Sequence, residues 1–185
     1  MIANRAIRVQ TTKNNIEYVK TALAAYLANY HRLPRPSHDT SGQESAAAAR
    51  SLAAFVGTVP YATLGIAKKY AQDGNAKPLI YIVEPMLTAD FDSLYETTII
   101  DAEFCRGIAA PSIEIQGVRN LLPDVIAFVI DTQTPQITDK ITVKPTADTN
   151  WVSRDIFLMQ YLKNVPCKKE KRQEASRVAR DEFSF

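Results

Sequence analysis

Residues 1–30 constrain this fold more than any other part of the chain, because their pattern is that of one long amphipathic helix. Five residues recur in it at intervals of seven: Ile2, Val9, Ile16, Leu23 and Tyr30. Val19 and Tyr26 join this repeat only in the second half, so the apolar stripe is narrow at first and broad later. Such a helix extends roughly 40 Å, about the width of a small domain. We therefore expect its first half to project beyond the body on which its second half packs.

A second possible start for this helix lies at Asn14. Glu17 follows it by three residues and an apolar run comes next, a spacing typical of a helix N-terminus in which two side chains cap each other's backbone. Thr11, Thr12 and Asn15 are indifferent helix formers. A short helix behind a frayed arm is therefore the alternative to the long helix that the repeat favours.

Composition excludes several classes of protein. A chain of 185 residues, 46% hydrophobic and 23% charged, is typical of one globular domain with extensions. Its net charge of +2 gives no electrostatic footprint for nucleic acid. No stretch reaches the roughly 20 apolar residues that span a bilayer, and the first residues lack the apolar core of a secretory signal. The two cysteines, Cys105 and Cys167, allow one disulfide but do not establish an oxidising compartment.

Prolines and glycine mark the boundaries after the first helix. Pro34 and Pro36 stop helical hydrogen bonding, so the helix is expected to end by about His31. Glu44 to Phe55 has the composition of a short second helix, which Gly57 would stop. The sequence thus predicts a helical, loop-rich segment before any sheet.

Three later stretches predict β-strands, because they are rich in β-branched and aromatic residues and are separated by turn residues. They are Leu79–Val83, Val125–Ile130 and Ile137–Val143. Short connections without long crossover helices favour antiparallel pairing. Trp151-Val152 could add an edge strand, and Ser153 could cap a last helix through Leu162.

Four short motifs follow one another in order through residues 1–165. They are Arg32-Leu33-Pro34-x-Pro36, Val59-Pro60-Tyr61-x-Thr63-Leu64-Gly65, Asp73-Gly74-Asn75 before Pro78-Leu79-x-Tyr81, and Trp151-Val152-Ser153-Arg154. Together with the amphipathic helix, they resemble the pseudopilins and minor pilin-like proteins of bacterial type II secretion and type IV pilus systems. The resemblance implies an α+β, pilin-like fold, in which a long N-terminal helix packs on an antiparallel sheet.

The resemblance also implies a function in assembly. The chain would be a structural subunit of a pseudopilus or type IV pilus-like fibre that serves protein secretion or adhesion, without enzymatic activity or a cofactor. It would comprise a helix at 1–31, a globular head at 32–167 and a charged tail at 168–185. Its partners would be other pilin or pseudopilin subunits and secreted protein cargo, with no nucleic acid.

The family's precursors are anchored in the inner membrane by an apolar half-helix. The resemblance therefore implies that these residues are a soluble ectodomain, which faces the periplasm or belongs to an extracellular fibre and contacts the membrane only through that missing half-helix. In such folds the first half of the helix meets neighbouring helices, and the implied assembly face is Ile2, Val9 and Ile16. The second half packs on the head, and its implied packing residues are Val19, Leu23, Tyr26 and Tyr30.

The chain departs from the family at its cysteines. Similar sequences often carry a cysteine between the two prolines of the helix-ending motif, where this chain has Arg35. The usual partner of the C-terminal Cys167 is then absent, which leaves Cys105 as the candidate. Their bridge would close a loop of about 60 residues and add roughly 4 kcal/mol of stability. Two free buried thiols are the alternative.

Calcium is the one metal that the resemblance suggests, because some pseudopilins hold it in a loop beside the sheet. The candidate ligands are Asp90, Asp92, Glu96 and Asp101. Calcium takes about six to eight oxygens, and this segment has no glycine to fold it tightly around an ion. A solvated acidic loop is therefore the alternative interpretation.

Other polar groups give weaker predictions. His31 and His38, with Asp39 or Cys105, could form a metal site or a nucleophile–base pair, but two histidines seven residues apart across two prolines match no ligand spacing. We therefore predict surface residues and no catalysis. The tail from 168 to 185 could dock on a partner or be a solvated end. A periplasmic or secreted binding module of the same fold and a small hydrolase are the alternative functions.

Overall fold

The protein has an α+β fold, in which one N-terminal helix precedes a series of strands. The computed structural model describes residues 2–30, 32–46, 51–88, 112–117, 126–147 and 149–153. Within them α1 (Ile2–Tyr30) is one continuous helix, so the alternative start at Asn14 is wrong. The described strands are β1 (Val56–Thr58), β2 (Ile80–Val83), β3 (Ile113–Ile115), β4 (Ile126–Asp131), β5 (Gln136–Ile137), β6 (Ile141–Val143) and β7 (Asn150–Ser153).

The strands form two sheets. The larger sheet has the order β1-β2-β4-β7, and every neighbouring pair in it is antiparallel. The smaller sheet has the order β3-β6-β5, in which β3 and β6 run parallel and β5 and β6 run antiparallel. The expectation of antiparallel pairing is therefore confirmed for the larger sheet and wrong for one pair of the smaller sheet.

The larger sheet lies between α1 and the smaller sheet, because its two faces are both apolar. Along β2, Tyr81 and Val83 belong to the core shared with α1, whereas Ile82 belongs to the core shared with β3 and β6. The same division holds along β4, where Phe128 faces the helix side and Val129 the other. This alternation follows from the period of two residues in a strand. The larger sheet therefore provides the surface on which the second half of the helix packs.

Several boundaries agree with the sequence. α1 ends at Tyr30, just before the two prolines, and β2 and β4 lie in two of the three predicted strand regions. β7 is an edge strand of the larger sheet, as predicted for Trp151-Val152. The third predicted strand, Ile137–Val143, is wrong as a single element, because a turn separates β5 from β6.

The predicted second helix, Glu44 to Phe55, is also wrong in its described part. Residues 44–46 are not helical, and only a 3-10 turn, Leu52–Phe55, is found. The reason is tertiary: the backbone N–H of Glu44 donates to Thr63 Oγ1 at 2.7 Å, and that of Ser45 donates to the carbonyl of Pro36 at 3.1 Å. The predicted helix at Ser153–Leu162 lies outside the described residues except for its first residue, and the charged tail lies wholly outside them.

Candidate assembly surface

The N-terminal part of α1 is the most exposed region of the helix. Residues 4–11 are all exposed, and two large apolar side chains are among them: Ile7 is 63% exposed and Val9 is 39% exposed. Two residues of a helix span about 200° around its axis. Ile7 and Val9 therefore lie on nearly opposite sides, and the segment presents apolar groups to more than one direction.

The later part of α1 packs against the larger sheet. Val19 and Leu23 are fully buried in the core that contains Tyr81 and Phe128, and Tyr26 is 7% exposed. Ile16, which was expected to face neighbouring helices, is 3% exposed in this same core. That part of the expected assembly face is wrong, because the helix has already met the head before Ile16.

Among the described contacts, the first between α1 and the head is made by Arg8. Arg8 Nη1 donates to Asn75 Oδ1 at 3.1 Å, and the backbone N–H of Gly74 donates to Thr12 Oγ1 at 2.9 Å. A Cβ atom on Gly74 would collide with the backbone of Arg8. Only a glycine therefore lets the turn approach the helix this closely.

The buried side-chain amide of Asn15 holds the same segment of the head, one helical turn after Thr12. Asn15 Nδ2 donates to the carbonyls of Lys69 at 3.0 Å and of Gln72 at 2.7 Å. Both acceptors belong to the 3-10 turn Lys68–Ala71 and the residue that ends it. An unpaired buried amide would be costly, so these two bonds fix where the segment sits on α1. We call the contacts of Arg8, Thr12 and Asn15 with residues 69–75 the turn clamp.

Asp73 gives the turn its shape. Its Oδ1 accepts hydrogen bonds from the backbone N–H groups of Asn75 and Lys77, both at 2.8 Å. Burial alone would raise the pKa of Asp73, but these hydrogen bonds stabilise the ionised carboxylate and lower the pKa below its usual value. Ala76 takes a positive φ of 62° here, a conformation that L-residues seldom adopt.

An ion pair lies just beyond the C-terminal end of α1. Arg32 donates from both of its terminal nitrogens to the two carboxylate oxygens of Glu44, each at 2.7 Å. Glu44 also accepts from the backbone N–H of Arg35 at 3.0 Å and from Tyr26 Oη at 3.2 Å. Burial would raise the pKa of Glu44, but the Arg32 guanidinium and these hydrogen bonds lower it below its usual value. The motif that ends the helix is thereby held against the head.

Tyr26 lies beside this ion pair, and Tyr30 stacks on Tyr26. Burial, together with the nearby charge of Glu44, raises the pKa of Tyr26 to about 12. Tyr30 stacks on Tyr26 with ring centroids 4.4 Å apart, yet it is 61% exposed. The expectation that Tyr30 packs into the head is therefore wrong. It lies at the last residue of the helix, where its ring covers Tyr26 from the solvent side.

A second pair of tyrosines lies on the outer side of α1. The rings of Tyr18 and Tyr70 are stacked with centroids 4.2 Å apart, and Lys69 Nζ lies 4.9 Å from the Tyr70 ring. Tyr18 is 47% exposed. The pair extends the turn clamp to the solvent surface, where about half of Tyr18 is exposed.

Most of the predicted metal and disulfide residues fall outside the described part of the chain. These are Asp90, Asp92, Glu96, Asp101, Cys105, Cys167 and His31. His38 Nε2 lies 3.1 Å from the carbonyl of Ala54, and the carboxylate of Asp39 is engaged by Ser41. Among the described residues, no group of three or more His, Cys, Asp or Glu side chains could hold a metal ion.

Comparison with known proteins adds no family assignment. No family model matches this chain, and neither a curated protein nor a solved structure matches it. A search of the described helices finds none that is both long and apolar enough to cross a membrane. Function must therefore be inferred from the geometry of α1 and of the segments that hold it.

Three parts of this surface were missed in the sequence. Ile7 lies outside the seven-residue repeat, although a helical projection places it opposite Val9. The roles of Asn15 and Glu44 depend on partners 54 and 12 residues away, respectively. No local pattern identifies such partners, so these contacts had no usable signal in the sequence.

Proposed function

We propose that this chain is a structural subunit of a bacterial pseudopilus or type IV pilus-like assembly, with a role in protein secretion or adhesion. The observation that carries the proposal is the change of surroundings along α1. Residues 4–11 are exposed, whereas Val19, Leu23 and Leu27 are buried under the larger sheet. A helix that continues past its own head is suited to contact other molecules.

The four sequence motifs support a pilin-like interpretation of the fold. Pro34 accepts a hydrogen bond from the fully buried Tyr81 at 3.2 Å, which ties the helix-ending motif to β2. Gly74 and Asn75 of the third motif contact α1 directly. Trp151 of the last motif lies in the edge strand β7. Three of the four motifs are thus places where the head contacts the helix or where the larger sheet gains its edge strand.

The distribution of exposed apolar groups favours contact with more than one neighbour. Ile7 and Val9 lie on nearly opposite sides of α1, and both are exposed. Contact with a single flat partner would cover one of them and leave the other in water. A helix that packs among several others in a fibre would cover both. The head would then lie toward the surface of the fibre.

The proposed partners follow from this arrangement. Other pilin or pseudopilin subunits would contact the N-terminal part of α1, and the head would be free to meet secreted cargo. The subunit would face the periplasm or belong to an extracellular fibre. No catalytic step and no cofactor is part of the proposal.

Site-specific photo-cross-linking tests this function. A photoreactive amino acid at position 7 is expected to give adducts with other subunits in cells that produce the chain with its natural neighbours. Position 134, in an exposed loop of the head, is the matched control. Adducts of equal yield at both positions, or monomer alone at position 7, would contradict assembly through α1.

One observation favours the alternative, a periplasmic or secreted binding module. Tyr18, which stacks on Tyr70, is 47% exposed, and an exposed aromatic ring suits sugars and other flat ligands. Tyr18→Ala would then abolish binding to a glycan array, while Tyr30→Ala, at another exposed tyrosine, would not. If neither variant changes binding, the aromatic pair serves only to hold residues 69–75 on the helix.

A further inference from the structure

The charges on the exposed part of α1 all have one sign. Arg5, Arg8 and Lys13 are the charged residues of the helix before Glu17. Arg8 donates to Asn75 of the head. Arg5 and Lys13 are exposed, and neither has an ion-pair partner among the described residues. The surface proposed for assembly is therefore basic.

Arg5 and Lys13 flank the exposed Val9 on one side of the helix. The three residues are spaced by four, so they form a continuous row of the kind that packs into a groove of a neighbouring helix. The row is about 12 Å long. We call Arg5, Val9 and Lys13 the basic ridge. It presents a cation, an apolar side chain and a second cation in succession.

The α1 helix of a second copy of this chain is a poor partner for the basic ridge. Within α1 the acidic residue is Glu17, and it already pairs with Lys20 at 2.8 Å. Two copies of the helix that placed their basic ridges in contact would bring cations against cations, because both charges of the ridge are positive. Like charges at such distances repel, and salt weakens the repulsion. The charge of the ridge therefore favours a different chain.

We propose that the basic ridge binds a helix of another subunit, which places acidic side chains opposite Arg5 and Lys13 and an apolar side chain opposite Val9. This inference rests on the proposed function and adds that the contact is between unlike subunits. The partner's acidic side chains pair with the cations at the two ends of the ridge and so fix the register of the two helices. The apolar contact at Val9 between them excludes water. The ridge selects its neighbour by charge.

An anionic membrane surface is a less suitable partner. A helix that lies on a membrane needs its apolar residues on one side. Ile7 lies nearly opposite Val9, so a surface that covered the ridge would leave Ile7 in water. Two cations about 12 Å apart are also a sparse charge for membrane binding. A helix of complementary pattern covers the ridge and leaves Ile7 for another neighbour.

A charge-reversed copy of the chain serves as the test probe. The full wild-type chain is mixed with the Arg5→Glu/Lys13→Glu variant, and association is followed by fluorescence energy transfer at about 50 mM and about 300 mM salt. The mixed pair is expected to associate about tenfold more tightly than two wild-type copies at low salt, with the difference shrinking at high salt. The matched control is Lys68→Glu/Lys144→Glu, which changes the net charge equally at two exposed lysines of the head.

The outcomes separate the ridge from the wider function. Equal association of wild-type pairs and mixed pairs would overturn the charge-selective ridge and leave assembly through α1 standing. If the wild type associated with the control variant as tightly as with Arg5→Glu/Lys13→Glu, the charge-selective ridge would also be overturned. Net charge alone would then explain the tighter association. Binding of the wild type to phosphatidylglycerol vesicles, lost in Arg5→Glu/Lys13→Glu without any protein association, would assign the ridge to a membrane. Absence of association in every mixture would overturn the ridge, and absence of adducts from position 7 would then remove the proposed function as well.

Discussion

The two halves of α1 share one continuous backbone but have opposite surroundings. In the second half Val19, Leu23 and Leu27 are buried under the larger sheet, whereas residues 4–11 are all exposed. Isolated helices are marginal in water, and most helical stability comes from the packing of an apolar face. The second half is therefore stabilised by this chain's own head. The first half of the helix extends beyond the head.

The turn clamp forms the boundary between the two halves. Arg8, Thr12 and Asn15 join α1 to residues 69–75. Residues before Arg8 have no such support in the described structure, so their side chains are free to serve contacts with other molecules. This difference predicts that substitutions in the second half change stability, whereas substitutions in the first half change association.

Leu23→Ala is expected to have the largest effect on stability. Leu23 is fully buried between α1 and the larger sheet, so its truncation removes apolar contacts and leaves a cavity. The free energy of unfolding should fall by about 3 kcal/mol. Urea denaturation measures this loss. Val9→Ala in the exposed half is the control, and an equally large loss there would show that the two halves do not differ.

Glu44→Gln is expected to lower the free energy of unfolding by about 2 kcal/mol at pH 7, because it removes the carboxylate that accepts from both terminal nitrogens of Arg32. The folded-state pKa of Glu44 lies below its usual value, so the ionised carboxylate stabilises the fold above the unfolded pKa, and this is lost as pH falls through the folded pKa. The difference in free energy of unfolding between the wild type and the variant should therefore shrink on acidification below about pH 4.5.

The control for this pair is Glu114→Gln. The carboxylate of Glu114 lies 3.8 Å from Lys140 Nζ and the two side chains are 53% and 50% exposed, so loss of this charge should cost no more than about 0.5 kcal/mol. Thermal unfolding of both variants across pH 3 to 7 provides the comparison. If Glu44→Gln were as stable as the wild type at neutral pH, the ion pair would not stabilise the end of the helix.

Gly74→Ala is expected to lower the free energy of unfolding by about 1 kcal/mol, because the added Cβ would meet the backbone of Arg8. The effect should be local. Hydrogen exchange should quicken for the amides of residues 8–15 and stay unchanged for Leu23 and Leu27. Uniform quickening along the whole of α1 would show that the turn clamp does not separate the halves.

The sequence predicts those parts of the fold that depend on local periodicity. The long helix, its end before Pro34 and the strands β2 and β4 all follow from spacings within a few residues. β1 and β3 were missed because each is only three residues long, and β1 contains a glycine that was interpreted as a helix stop. Such short strands form because a neighbouring strand pairs with them, and their own composition does not predict this.

The candidate surface was predictable only in part, for the same reason. The pilin-like resemblance assigned Val9 to the exposed half and Leu23 to the packed half, yet it placed Ile16 on the wrong side of the boundary between the halves. That boundary depends on Asn15 and Gly74, whose partners are distant in sequence. The sequence shows the stripe of a helix, but the length of stripe that the head covers is set by tertiary contacts.

Ile7→Ala is expected to have the smallest effect on stability and a clear effect on association. Ile7 is 63% exposed, so little apolar contact is lost, and alanine is the better helix former. The free energy of unfolding should change by less than about 0.5 kcal/mol. In cells, the amount of the chain that co-purifies with neighbouring subunits should fall, because the proposed assembly covers this side chain. Normal assembly together with lost stability would reverse the proposed roles of the two halves, since the exposed half would then serve the fold and not its partners.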